Sequence, residues 1–240
     1  GLFAAAAGLL VVFVVAEWRQ ENPMFDVRLF AVPAFAGAQI VAFTISSAMF
    51  AQFLYLTLYL QNVLGYSPIQ AGIRFLPLSM ISFFAAPASG RLSERVPVRW
   101  LLGAGMGLVA LSLYLMYGVH TSSGWTTLLA GFLIGGVGIG MVNPPLASTA
   151  VSVVPPQRAG MAAGVNNTFR QVGIATGIAG LGAIFQSALS PKYAQAISGG
   201  AGRGLQAKGE FVHGLNDSLL DATFVALAGA ILAVVLIRQS

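Results

Sequence analysis

The stretch AFAGAQIVAFTISSAMFAQFLYLTLYL, residues 34–60, decides the fold, because it carries no charged side chain over a length that can cross a bilayer. A membrane span needs roughly 20 apolar residues of helix. Five more apolar runs follow, at 69–89, 100–119, 126–148, 160–187 and 219–237. Backbone groups in hydrocarbon must bond within their own segment, so each run is expected to be a helix. The runs are continuous rather than alternating, which excludes a transmembrane barrel. The expected fold class is all-α, a polytopic transmembrane helix bundle.

Composition leads to the same class. The chain is 57% hydrophobic and 8% charged, against about 25% charged in a soluble domain. Its mean hydropathy is +0.81. The net charge of +5 would invite a nucleic-acid partner in a soluble protein. Here the positive charge sits in loops between apolar runs, as membrane topology demands, and no nucleic acid is expected. There is no cysteine, which excludes disulfides and thiolate metal sites within the chain.

A shorter apolar run, 2–16, follows Gly1 directly and ends in Glu17-Trp18-Arg19, the signature of an interfacial helix end. A signal peptide would need a basic start and a cleavage site. Segment 1–16 therefore reads as the tail of a span that begins upstream, and the chain as part of a longer protein. Segment 17–33 reads as a cytoplasmic linker and 34–240 as a six-helix bundle.

The basic residues fix an expected orientation. One set of loops carries Arg19, Arg28, Arg91, Arg95, Arg99, Arg158 and Arg238; the other carries Lys192, Arg203 and Lys208, all in one long segment. Short loops rich in Lys and Arg face the cytoplasm. The first set is thus expected inside, with the C-terminus, and segment 188–218 outside as a loop. Its Ser198-Gly199-Gly200-Ala201-Gly202 stretch reads as a flexible linker. Six helices in a row form a natural half of a carrier built from two bundles around a midplane site.

Several stretches resemble the major facilitator superfamily, specifically its fourteen-helix drug:proton antiporter branch. Asn22-Pro23-Met24-Phe25-Asp26-Val27-Arg28-Leu29-Phe30 resembles the link that precedes the second half. Tyr59-Leu60-Gln61-Asn62-Val63-Leu64-Gly65-Tyr66-Ser67-Pro68, with Ala71-Gly72-Ile73 and Leu76-Pro77, resembles the outer turn between the first two helices of that half. Gly160-Met161-Ala162-Ala163-Gly164-Val165-Asn166-Asn167-Thr168-Phe169-Arg170-Gln171-Val172-Gly173 resembles the penultimate helix. The resemblance covers essentially the whole chain. It implies that 1–16 ends an inter-half insert, and that the N-terminal half of the same protein is the bundle's partner.

Gly90-Arg91-Leu92-Ser93-Glu94-Arg95-Val96-Pro97-Val98-Arg99 resembles a degraded copy of the superfamily's loop signature, with Glu94, Pro97 and Val98 at altered positions. The resemblance implies a conformational latch built from Gly90, Glu94, Arg95 and Arg99. Gly90 would permit close backbone approach, and Glu94 would pair with Arg95 or Arg99, or sit near a helix N-terminus where anions are favoured. A plain positive-inside loop is the alternative.

The candidate site residues lie on two helical arcs. Asn166, Asn167 and Arg170 share one arc, continued by Gly173, Gly177 and Gly180. A charge inside a span is costly and needs a reason, which is anion or carboxylate pairing or a staple onto backbone carbonyls. Thr44, Ala48, Gln52, Tyr55 and Tyr59 form a second arc on 34–60. The resemblance implies that this helix lines the substrate cavity, and Thr44, Gln52 and Tyr55 are its candidate contacts. Asn143, ahead of Pro144-Pro145, is a further cavity candidate. The two prolines are expected to kink or end that helix. Arg74 reads as a side chain snorkelling to the outer surface.

No acid falls in mid-membrane. Asp221 lies near the expected outer start of the last helix, where an anion is favoured. The carboxylate that would carry a proton is thus expected in the N-terminal half. No phosphate-binding Gly-Lys loop is present, and no metal-ligand spacing or catalytic cluster appears, so no cofactor, metal or enzyme activity is expected.

The leading expectation is the C-terminal half of a proton-coupled exporter of amphiphilic drugs or toxic compounds in the bacterial inner membrane, working by alternating access. Its partners would be a small amphiphilic substrate, protons and the lipid bilayer. Two alternatives stand beside it: a carrier of the same architecture for a specific anionic or zwitterionic solute, and a non-transporting membrane interaction module.

Overall fold

The computed structural model describes residues 26–187 and 205–237, together with Gly8, Leu9, Val12, Val15, Glu17 and Arg19. The expected partial helix 2–16 and the flexible stretch 198–202 lie outside the described residues, apart from those first positions.

Asp26 caps a short 3-10 turn, Val27–Ala31, by accepting from the Arg28 N–H at 3.1 Å. Helix α1 follows, Pro33–Leu58. Pro33 suits the first turn, where its missing N–H has no helical partner to lose. α1 runs on into a π-helical turn, Tyr59–Val63. Ser67 and Gln70 then form a reciprocal capping box that starts α2, Pro68–Arg74. After a break at Phe75 comes α3, Leu76–Leu92. The remaining helices are α4, Val98–Met116; α5, Leu129–Ser152, entered through a 3-10 turn at Trp125–Leu128; α6, Ala159–Ser187; and α7, Leu205–Leu236. No strand occurs among the described residues.

Among the described residues, five segments are long and apolar enough to span a membrane: Pro33–Val63, Pro68–Leu92, Val98–Met116, Trp125–Ser152 and Lys208–Leu236. α6 is 29 residues long but more polar, because Asn166, Asn167, Thr168, Arg170 and Gln171 sit together in it. It packs beside the apolar helices as a sixth member of the bundle.

Two helix boundaries differ from the sequence expectation. α7 begins at Leu205, so 205–218 is helix rather than loop. Phe211, Val212, Leu215 and Leu219 recur at helical spacing and are buried, which extends α7 to 32 residues, about 48 Å at the helical rise. Asp221 consequently lies well inside α7 and not at its start. The second difference is α5, which passes through Pro144 and Pro145 to Ser152. Pro145 cannot donate to the Met141 carbonyl one turn back. The Ser89 hydroxyl of α3 donates to that carbonyl instead, at 2.7 Å.

Small residues set the packing. A Cβ on Gly136 or Gly140 would strike α3 at Leu78, Ile81 and Ala85, and one on Gly135 or Gly138 would strike α4 at Ser112 and Val109. α5 is therefore wedged between α3 and α4. The Ser112 hydroxyl secures the second contact by donating to the Gly131 carbonyl at 2.8 Å. On the other side, Gly173 and Gly177 of α6 lie against the backbone of Phe43 and Ser47 in α1, and Gly229 of α7 against Thr44.

Polar contacts tie the loops at each end. At one end Asp26 meets Arg158 at 3.1 Å, and Gly37 packs on Ile237. At the other, the buried Tyr59 hydroxyl donates toward the carbonyls of His120 (3.1 Å) and Ser123 (3.2 Å). There too Asn216 of α7 accepts from the Gly118 N–H and donates to the Val119 carbonyl, and Lys208 donates to the Val63 carbonyl at 2.8 Å. Arg74 belongs to this second end, its guanidinium 3.4 Å from the Tyr66 ring centroid.

Candidate functional site

A cavity of about 460 Å³ opens between α1, α3, α5 and α6. That volume falls within the range of small-molecule sites. α1 contributes Ser46, Met49, Phe50 and Phe53, residues at the i, i+3, i+4, i+7 spacing of one helix face. α3 adds Leu78, Ser79, Ser82 and Phe83, with Ile139 and Asn143 from α5 and Arg170 from α6. The wall is mostly aliphatic and aromatic, with three hydroxyls, one amide and one guanidinium.

The charged corner is organised in two steps. The Asn143 amide nitrogen donates back to the Ile139 carbonyl at 3.1 Å, which fixes the direction of its amide oxygen. That oxygen accepts from an Arg170 guanidinium nitrogen at 2.6 Å. Two candidates far apart in sequence thus meet at the cavity. No carboxylate pairs with Arg170 among the described residues, and no acid lines the cavity.

The other candidates lie elsewhere. Asn166 is buried and donates to the Gln39 amide oxygen across the α1–α6 seam at 3.2 Å. Asn167 is exposed. Thr44, Gln52 and Tyr55 are buried where α1 meets α6 and α7, not on the cavity wall. Thr44 bonds back to the carbonyls of Ile40 and Val41. Gln52 donates to the Ser218 carbonyl of α7 at 2.8 Å. Tyr55 stacks on Phe185 of α6 with ring centroids 4.7 Å apart. Polar groups in a bundle core seek partners on neighbouring helices, so the polar arc of α1 is its packing face. The cavity face is the Ser46-Met49-Phe50-Phe53 stripe, whose helical period was the available signal. Ser79 and Ser82 of α3 were also missed, although hydroxyls one turn apart inside an apolar run are a visible cue.

A family model described as Major Facilitator Superfamily matches residues 1–178. The chain belongs to this superfamily. Among its relatives, Multidrug resistance protein Stp of Mycobacterium tuberculosis (strain ATCC 25618 / H37Rv) is 35% identical over 190 residues, 79% of this chain and 35% of the relative. Methylenomycin A resistance protein of Streptomyces coelicolor is 29% identical over 196 residues, 82% of this chain and 41% of the relative. Puromycin resistance protein pur8 of Streptomyces alboniger is 32% identical over 233 residues, 95% of this chain and 46% of the relative. The chain spans less than half the length of each.

The stretch 90–99, which resembles the superfamily's loop signature, forms the end of α3 and the turn before α4. No described residue lies within 4 Å of a Cβ placed on Gly90, so no described backbone approaches it closely. Glu94 and Arg95 are exposed, and Glu94 pairs with neither Arg95 nor Arg99. The Arg99 guanidinium lies 5.4 Å from the Trp100 ring centroid. An ion pair at this end, Asp26 with Arg158, joins the linker to the turn before α6.

Proposed function

We propose that this chain is the C-terminal half of a proton-coupled exporter of amphiphilic drugs or toxic compounds, of the fourteen-helix antiporter type. The single observation that carries the reading is the α1/α3/α5/α6 cavity. Its volume, ring-lined wall and few polar groups suit a drug-sized amphiphile. Membership of the superfamily supports a transporter, and the drug-resistance activities in the names of its relatives support drug-like cargo. A second six-helix bundle in the full-length protein would close the open side of the cavity, and rocking of one bundle against the other would alternate its exposure. The end bearing Arg28, Arg91, Arg95, Arg99 and Arg158 faces the cytoplasm in this reading.

The test is efflux of lipophilic dyes of either charge from energised membrane vesicles containing the full-length protein, with and without a proton uncoupler. Uncoupler-sensitive efflux is expected. Efflux that persists without a proton gradient contradicts the coupling, and no efflux of any dye by folded protein contradicts the exporter.

A further inference from the structure

The cavity is electrically one-sided. Arg170 brings a full positive charge and several N–H donors, of which one is used on Asn143. The acceptor it uses is a neutral amide oxygen, held in direction by the Asn143 N–H that donates to the Ile139 carbonyl. The remaining polar lining consists of the hydroxyls of Ser46, Ser79 and Ser82. The charge of this corner is therefore positive, and its hydroxyls can donate as well as accept. The facing wall offers rings: Phe50 and Phe53 of α1, and Phe83 of α3.

We propose that Arg170, presented by Asn143, is the substrate-selecting group of this half, and that it takes an ionised or acceptor-rich oxygen group carried on an apolar ring system. A carboxylate, enolate or vinylogous acid fits; a lipophilic cation does not. The inference rests on the cavity being the substrate site and adds the class of substrate. Three physical terms select it. A guanidinium forms short, charge-assisted and often bidentate hydrogen bonds to such oxygens. Away from bulk water that attraction is weakly screened. The ring system meanwhile stacks on the phenylalanines. A cation in the same place meets like charge with no carboxylate in this wall to offset it. Asn143 is a positioning residue in this scheme, since it acts through Arg170.

Two dyes built on one ring system, fluorescein (anionic) and rhodamine 6G (cationic), separate the terms. Binding to detergent-purified full-length protein is read by fluorescence anisotropy, and export of the same dyes is followed separately in vesicles. For Arg170→Gln the fluorescein Kd is expected to rise by about tenfold or more, with rhodamine 6G binding unchanged or tighter. Arg170→Lys keeps the charge but not the planar fork and should fall between. Asn143→Ala should weaken fluorescein binding less than Arg170→Gln does. Unchanged fluorescein binding by a folded Arg170→Gln protein overturns the proposal. So does an equal loss for both dyes, which marks a structural Arg, or a wild-type protein that binds rhodamine 6G and not fluorescein. Failure of the exporter reading looks different, because dye then binds with the expected charge preference and is not exported.

Discussion

Gly173 of α6 lies directly against the carbonyl oxygen of Phe43 in α1, and a Cβ there would come within 3.0 Å of the Phe43 Cα as well. This contact, repeated one turn on by Gly177 against Ser47, sets how closely α6 approaches α1. It thereby sets where Arg170, three residues before Gly173, meets the cavity. Helices in lipid associate through such close packing, without a hydrophobic drive of their own.

Gly173→Ala is accordingly expected to destabilise the protein by about 1–3 kcal/mol through overpacking. Gly180→Ala, where no described residue lies within 4 Å, should be neutral or stabilising by up to about 1 kcal/mol from helix propensity. Thermal unfolding of the two variants in detergent checks the contrast. Equal behaviour would mean that the α1–α6 seam is not tight.

Ser89 and Pro145 should be energetically coupled. Ser89→Ala strips the Met141 carbonyl of its donor and should cost about 0.5–2 kcal/mol. In a Pro145→Ala background the restored backbone N–H can take that carbonyl, and the same Ser89→Ala change should cost much less. A double-mutant cycle measures the difference; additive effects would deny the compensation.

Gln52 is assigned to packing. Gln52→Leu removes the bond to the Ser218 carbonyl and should lower stability by about 0.5–1.5 kcal/mol. The relative rates at which different dyes are exported should stay unchanged. Phe50→Ala, on the cavity wall, should change those relative rates instead. A dye profile that shifts with Gln52 and not with Phe50 would reverse the assignment of the two faces of α1.

Orientation is open to chemical labelling at single cysteines placed in this chain, which has none of its own, within full-length protein otherwise free of cysteine. Asn62→Cys, at the end held by Tyr59 and Lys208, should react with an impermeant maleimide in intact cells. Arg95→Cys should react only in inverted vesicles. The opposite pattern would place the arginine-rich end outside.

Helix positions were legible in the sequence because the bilayer imposes one length and one composition on every span. The 34–60 run became Pro33–Leu58 with its π turn, and 160–187 became Ala159–Ser187. Two boundaries were not legible. The first turns of α7 look polar in sequence, since only one face, through Phe211, Val212 and Leu215, is apolar. The passage of α5 through two prolines depends partly on Ser89, fifty-two positions away from the carbonyl it serves. In the cavity, Arg170 and Asn143 stood out because a charge and an amide inside apolar runs must be answered somewhere. Their meeting was not legible, as nothing local records which helices adjoin. Thr44, Gln52 and Tyr55 drew notice for the same polarity, but their answers came from α6, α7 and the backbone of α1 itself.

The most direct test of the central claim, that the α1/α3/α5/α6 cavity holds the cargo, is substrate protection of Ser82→Cys in otherwise functional full-length protein. The labelling rate with N-ethylmaleimide is measured with and without an exported dye, and Arg95→Cys serves as the control. The account predicts that dye at ten times its Kd slows labelling at position 82 by about tenfold through simple occupancy, with no effect at position 95. A position 82 that labels at the same rate with and without a dye the protein demonstrably exports would contradict it.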